Sequence, residues 1–215
     1  MRDNLFVAYS IINSAINRGE ELSVSSYNIS QAFDSSWFKD TMSDLWEAKV
    51  SDDKFALIHK MNEECVVKVK TPVGDTDSFV LNEVEMQGTV LAPLKCSLTL
   101  DSIGRYSYRY QKGLYIYKNS VQVPPLWMID DCLKFAKCGV ESIVLNEMIN
   151  TKLTMKKLKL NKDKCFNLHI GKNQQNCPKL QVHSETMTSA KDIKCLGDWI
   201  SSQLDNRKTL KVVLI

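Results

Sequence analysis

The sequence has almost no surplus charge: 28 Lys and Arg stand against 25 Asp and Glu, a net +3 over 215 residues. A surface for a polyanion must therefore be a local patch, not a field over the whole molecule. The seven cysteines are odd in number and form no CxxC pair, and the N-terminus has no signal-peptide pattern. This argues against a disulfide framework and for reduced thiols in an intracellular protein. No apolar run approaches the roughly 18 residues of a membrane span, so no membrane partner is expected. Repeats, low-complexity tracts and obvious linkers are missing too. What remains is one domain, or at most two, with 44% hydrophobic residues to fill a core.

The apolar pattern alternates between helical and strand periods. After Asp3, a plausible N-cap, Leu5, Ala8, Ile12 and Ala15 fall at helical spacing until Gly19. Val24 to Ile29 reads as a strand. Ser35 or Ser36 then caps a helix with Phe38, Met42, Leu45 and Trp46 on one face, and a further helix starts at Ser51. Cys65 to Lys70 and Ser78 to Leu81 can pair across the turn Pro72-Val73-Gly74-Asp75. A helix follows the glycine turn near Gln87, and Leu114 to Tyr117 pairs with Val121 to Val123. A helix covers about Val140 to Leu160, and short strands fall near Cys165 to Ile170, Leu180 to His183 and Ile193 to Ile200. The pattern predicts an α+β fold, an antiparallel sheet with helices packed on one face.

The most informative segment is Met128-Ile129-Asp130-Asp131, with apolar strand sequence on both sides. Two carboxylates at a hairpin tip repel each other unless a cation sits between them. Mg²⁺ is the fitting cation, because it takes one or two carboxylates and leaves its other positions to water and phosphates. Asp-Asp is also an ordinary turn, so the surrounding strings decide. Upstream lie YNISQAFD, from Tyr27 to Asp34, and MQGTVLAPL, from Met86 to Leu94; downstream lie LKLNKDKC, from Leu158 to Cys165, and IKCLGDWI, from Ile193 to Ile200.

In this order the five strings resemble polymerase motifs A to E of reverse transcriptases, most closely those of non-LTR retrotransposons, over about Asp3 to Ser201. The resemblance implies a polymerase palm over residues 1–201, with the finger strands mostly missing, no thumb, and a truncated tail at 202–215. It implies an RNA-directed DNA polymerase with RNA template, DNA primer and deoxynucleoside triphosphates as partners and Mg²⁺ or Mn²⁺ as cofactor. Asp130 and Asp131 would be the catalytic metal ligands, Phe33 the sugar gate, Gln87 and Gly88 the lining of the template and nucleotide cleft, and Lys164 the proton donor to pyrophosphate. One position departs from the family: Asn28 stands where motif A carries its catalytic Asp. An amide offers one carbonyl oxygen and no charge, whereas two-metal chemistry needs a bridging carboxylate. Asp34 falls at the start of the next helix, where N-capping is its expected task. The domain is therefore expected to be degenerate and inactive. The alternative is a non-catalytic nucleic-acid-binding domain.

Three further groups invite a reading. Lys152, Lys156, Lys157, Lys159, Lys162, Lys164 and Lys172 share one stretch with Asp163 as its only acid, enough to contact several phosphates. Trp37, Trp46, Trp127 and Trp199 sit in apolar periodic contexts and are expected in the core. Cys165, His169, Cys177 and His183 carry zinc-ligand chemistry, but they fall on or beside expected strands, and no zinc is expected.

Overall fold

The computed structural model describes residues 2–32, 38–63, 65–81, 90–110, 115–117, 121–137, 139–171, 178–195 and 198–202. Its helices are α1 (Arg2–Arg18), α2 (Phe38–Glu47), α3 (Asp52–Asn62), α4 (Ala92–Tyr110) and α5 (Val140–Met155). The first strands are β1 (Leu22–Ser30), β2 (Cys65–Val67), β3 (Lys70–Thr71), β4 (Gly74–Asp75) and β5 (Phe79–Leu81). Then come β6 (Tyr115–Tyr117), β7 (Val121–Val123), β8 (Leu126–Met128), β9 (Asp131–Lys137), β10 (Lys159–Leu160) and β11 (Phe166–Ile170). The last are β12 (Gln181–Val182), β13 (Glu185–Thr186), β14 (Thr188–Ala190), β15 (Asp192–Cys195) and β16 (Asp198–Ser201).

The main sheet runs β14-β11-β1-β9-β8, with β10 also paired to β1, and only the β11–β14 pair is parallel. The fold is thus α+β with a mostly antiparallel sheet, as the sequence pattern predicts. β1 is central, and its first eight residues are buried. Successive side chains on a strand point to opposite faces. Tyr27 and Ile29 on one face join Cys96, Leu100 and Ile103 of α4 and Leu145, Ile149 and Leu153 of α5. Leu22 and Val24 on the other face join Ala8, Ile11, Ile12 and Ala15 of α1, with Ile193 and Ile200 of the β15–β16 hairpin. The long helices α4 and α5 therefore back the sheet on one side, and α1 covers the Leu22 end of the other.

A polar layer is sealed between the sheet and α5. The Ser23 and Ser25 hydroxyls donate to Asn167 Oδ1 at 2.9 and 3.0 Å, and Ser142 Oγ donates to Ser23 Oγ at 2.9 Å. Tyr27 donates to Asn146 Oδ1 at 2.6 Å, and the Asn146 amide passes a bond on to the Gln181 carbonyl. Lys134, fully buried, donates to the Ser142 carbonyl and hydroxyl at 3.1 and 3.2 Å. Leaving one such buried group unsatisfied costs about 1–3 kcal/mol, which is why the layer is cross-linked through several elements. Burial pushes the Tyr27 hydroxyl well above its ordinary pKa and lowers the Lys134 ammonium to about 7.

Two expectations need correction. Trp46 and Trp199 are not core residues, being 63% and 43% exposed. Met42 and Leu45 take the inward side of α2, so Trp46 is turned outward and meets Phe55 of α3 edge-on at 5.7 Å. Only Trp127 packs against the core; Trp37 lies outside the described residues.

Candidate active site

β8 and β9 form a hairpin in which Met128 pairs with Asp131, so Ile129 and Asp130 are the two turn residues. Ile129 has φ 53°. A positive φ at the first turn position suits the right-handed twist of the strands, but it normally calls for glycine. A β-branched residue there stores on the order of 1–3 kcal/mol of strain, which surrounding contacts must hold. Two are evident: Ile29 N donates to the Asp130 carbonyl at 2.8 Å, and the Ile129 side chain packs against the core between sheet and helices.

Asn28 faces this hairpin directly, since β1 and β9 are antiparallel and Asn28 is the register partner of Asp131. Its amide nitrogen donates to Asp130 Oδ2 at 3.1 Å and to Asp131 Oδ1 at 3.1 Å. Ionised carboxylates only accept, so the NH₂ end must be the one turned toward them. Asn28 is 8% exposed, whereas both aspartates are half-buried. Its main-chain carbonyl is fixed as well, accepting from Asn161 N at 2.8 Å and from the Cys165 thiol at 3.9 Å. Burial pushes that thiol up to about 11, partly offset by this bond. Asn28 shares a sheet face with Leu22 and Val24, opposite α4 and α5, and lies six residues beyond Leu22, roughly 20 Å along the strand.

The structure thus brings Asn28, Asp130 and Asp131 together at one end of the central strands. Lys164 is exposed and closes the 3-10 turn Lys162–Lys164, whose last backbone N–H bonds back to Asn161. Phe33, Asp34, Gln87 and Gly88 lie outside the described residues. Sequence reasoning missed the support behind Asn28, from Asn161 and Cys165. Both residues belong to the LKLNKDKC string, but it begins more than 120 residues after Asp34, and nothing in the sequence order pairs it with Asn28.

The lysine stretch is not a uniform phosphate patch. Lys156 is tied to Asp44 of α2, with both carboxylate oxygens within 2.9 Å of its ammonium and the Asp44 side chain only 5% exposed. Burial raises the Asp44 carboxyl, and the Lys156 ammonium with the Thr99 and Ser102 hydroxyls opposes this. Lys152 lies 3.9 Å above the Tyr106 ring, and Lys162 pairs with Glu185. Lys157, Lys159 and Lys164 are exposed; Lys172 lies outside the described residues.

Of the four Cys and His residues, the three described ones are engaged in different surroundings. Cys165 is spent on the Asn28 carbonyl, His169 meets Glu21 at 2.9 Å, and His183 sits exposed with φ 48°. Cys177 is outside the described residues. Among the described residues no three His, Cys, Asp or Glu side chains gather as a metal-holding group.

No protein-family model matches this sequence, and no curated protein matches it either. Solved structures do match in fold. Apo telomerase from Candida tropicalis, truncated from its C-terminal domain, superposes with a TM-score of 0.67 at 10% identity, over 94% of this chain and 38% of that one. Telomerase from Candida albicans in complex with a TWJ fragment of telomeric RNA gives 0.66 at 14% identity, over 93% of this chain and 32% of that one. Telomerase from Candida tropicalis with the same kind of fragment gives 0.68 at 11%, over 93% and 31%. The chain spans about a third of the length of the telomerases it matches. It shares the fold of the corresponding part of these telomerases.

Proposed function

We propose that this chain is a reverse-transcriptase-type palm, of the non-LTR retrotransposon kind by its motif order, that engages primer and template but is degenerate as a nucleotidyltransferase. The observation that carries the reading is the Asn28 amide, which donates to both Asp130 and Asp131. Its two hydrogens occupy the inward carboxylate lone pairs, where bridging cations would need negative oxygen. The donor set therefore does not fit a pair of Mg²⁺ ions held between three acidic side chains. Losing a bridging carboxylate costs roughly 3–5 kcal/mol of transition-state stabilisation, a rate loss of about 10² to 10⁴. RNA template, DNA primer and deoxynucleotides remain the proposed partners, on the strength of the motif strings and of the fold shared with telomerase.

Primer extension on an RNA template, with Mg²⁺ or Mn²⁺, tests this. No extension is expected from the natural chain, and at most marginal extension from Asn28→Asp. Extension by the unaltered chain that disappears in Asp130→Ala would show that the amide suffices and that the site is not degenerate.

A further inference from the structure

The C-terminal half of α4 carries Arg105, Tyr108 and Arg109 at i, i+3 and i+4, so they share one side of the helix. They line an open groove of about 470 Å³ whose other wall is Pro124 and Pro125. Asp101, also in the groove, pairs with Arg105 at 3.0 Å. Arg109 and Tyr108 are both exposed, Tyr108 by 51%. Among the described residues neither is spent on an ion pair, hydrogen bond or ring contact. The groove opens beside the entry to β8, at the other end of that strand from the Asp130 turn and so roughly 10–15 Å from it.

We propose that this groove is a second nucleic-acid site, one that takes a single strand. Two guanidiniums against one carboxylate leave a net positive charge, and the unpaired Arg109 fork matches a phosphate bidentately. The exposed Tyr108 ring, one residue away, offers a face for an unstacked base, and base stacking on an aromatic ring tolerates any sequence. A duplex keeps its bases stacked on each other and cannot cover that ring. An acidic peptide would satisfy Arg109 but leave Tyr108 without a role. The proline pair gives the strand a fixed apolar wall that needs no ordering on binding. The inference is independent of the Asp130 and Asp131 chemistry.

Fluorescence anisotropy of the full chain with a labelled twelve-nucleotide oligothymidylate, titrated from 50 to 200 mM NaCl, tests it. Tyr108→Ala should weaken binding by about 5-fold to 150-fold, the span of one lost base stack. Tyr108→Phe should keep it, and Arg109→Ala should weaken it and lower the salt slope by about one. Both side chains are exposed, so unchanged melting temperatures will certify the variants as folded. Binding of a blunt twelve-base-pair duplex should not respond to Tyr108→Ala. The proposal falls if Tyr108→Ala binds the oligonucleotide as well as the natural chain does. It falls too if polyglutamate displaces the oligonucleotide in a way that depends on Arg109 but not on Tyr108, which would assign the groove to an acidic peptide. Inactivity in primer extension leaves these outcomes untouched.

Discussion

The amide of Asn28 bridges Asp130 and Asp131 at 3.1 Å each, across the pairing of β1 with β9. A neutral donor thus does what a cation would otherwise have to do: it relieves the repulsion of two adjacent carboxylates. Asn28→Asp should reverse this. Without divalent metal the variant gathers three acids and is expected to melt below the natural chain, by about 1–3 kcal/mol of lost bonding and added repulsion. With Mg²⁺ it should recover, since a ligand at a hundred times its Kd adds about 2.7 kcal/mol. The natural chain should show little Mg²⁺ dependence. Thermal melts of both proteins, with EDTA and with Mg²⁺, make the comparison.

Ile129 is the strained partner of this arrangement. Glycine adopts φ 53° without the Cβ penalty, but Ile129→Gly also removes a side chain packed on the core. Strain relief of about 1–3 kcal/mol and the loss of roughly 1.5–3 kcal/mol of apolar burial oppose each other. A near-neutral change in stability is expected for Gly. Ile129→Ala, which keeps the strain and loses the packing, should destabilise by about 2 kcal/mol. Equal destabilisation of both in urea melts would mean that the turn is not strained.

Much of this architecture was legible in the sequence where side-chain chemistry is local. The Pro72 to Asp75 turn and its flanking strands appear as two nested hairpins, β2 with β5 and β3 with β4. The Asp-Asp hairpin was legible from two carboxylates set between apolar strand sequences, whereas its pairing with the Tyr27-Asn28 strand is a contact across about 100 residues. The start of β1 was less legible, because Ser23 and Ser25 lower its apolar signal; both are buried against polar partners that lie more than 100 residues away. Lys134 is illegible for the same reason, a cation in a core strand held by α5. The lysine run misled in the opposite direction, since composition does not reveal that Asp44 and Glu185 meet Lys156 and Lys162.

Lys134 makes stability depend on pH. Its ammonium titrates at about 7 in the fold and near its ordinary value of 10.5 when unfolded, because burial penalises the charge. Between these values the unfolded chain binds more protons, so stability rises with pH over that window. The gain is lost progressively as pH falls from 10.5 to about 7, below which both states carry the proton and stability no longer changes through this group, an effect on the order of a few kcal/mol. Lys134→Met should flatten the rise between pH 7 and 9 while keeping the volume of the stem. A natural chain whose urea midpoint falls with pH over that interval, relative to the variant, would contradict the assignment.

The Asp44–Lys156 pair should act on stability, not on nucleic-acid binding. Asp44 is nearly buried and ties α2 to the end of α5, so removing either partner strands a charge, at a cost of about 3–5 kcal/mol. The double variant Asp44→Leu, Lys156→Met is expected to lose less than the sum of the singles.

Lys159 and Lys164 stand in contrast, because they are exposed and an exposed ammonium contributes to phosphate contact by counterion release. Lys159→Ala and Lys164→Ala should each leave the unfolding free energy within about 0.5 kcal/mol of the natural chain. Each should also lower the slope of log affinity for primer–template against log salt by about one. Lys156→Met should shift stability and keep that slope. Its charge is already met by Asp44, and a phosphate would have to displace two hydrogen bonds of 2.8 and 2.9 Å to reach it. Anisotropy titrations from 50 to 200 mM salt on the four proteins separate the two roles. A slope that falls with Lys156→Met and holds with Lys159→Ala and Lys164→Ala would move the phosphate surface away from the Lys162–Lys164 turn and onto the end of α5.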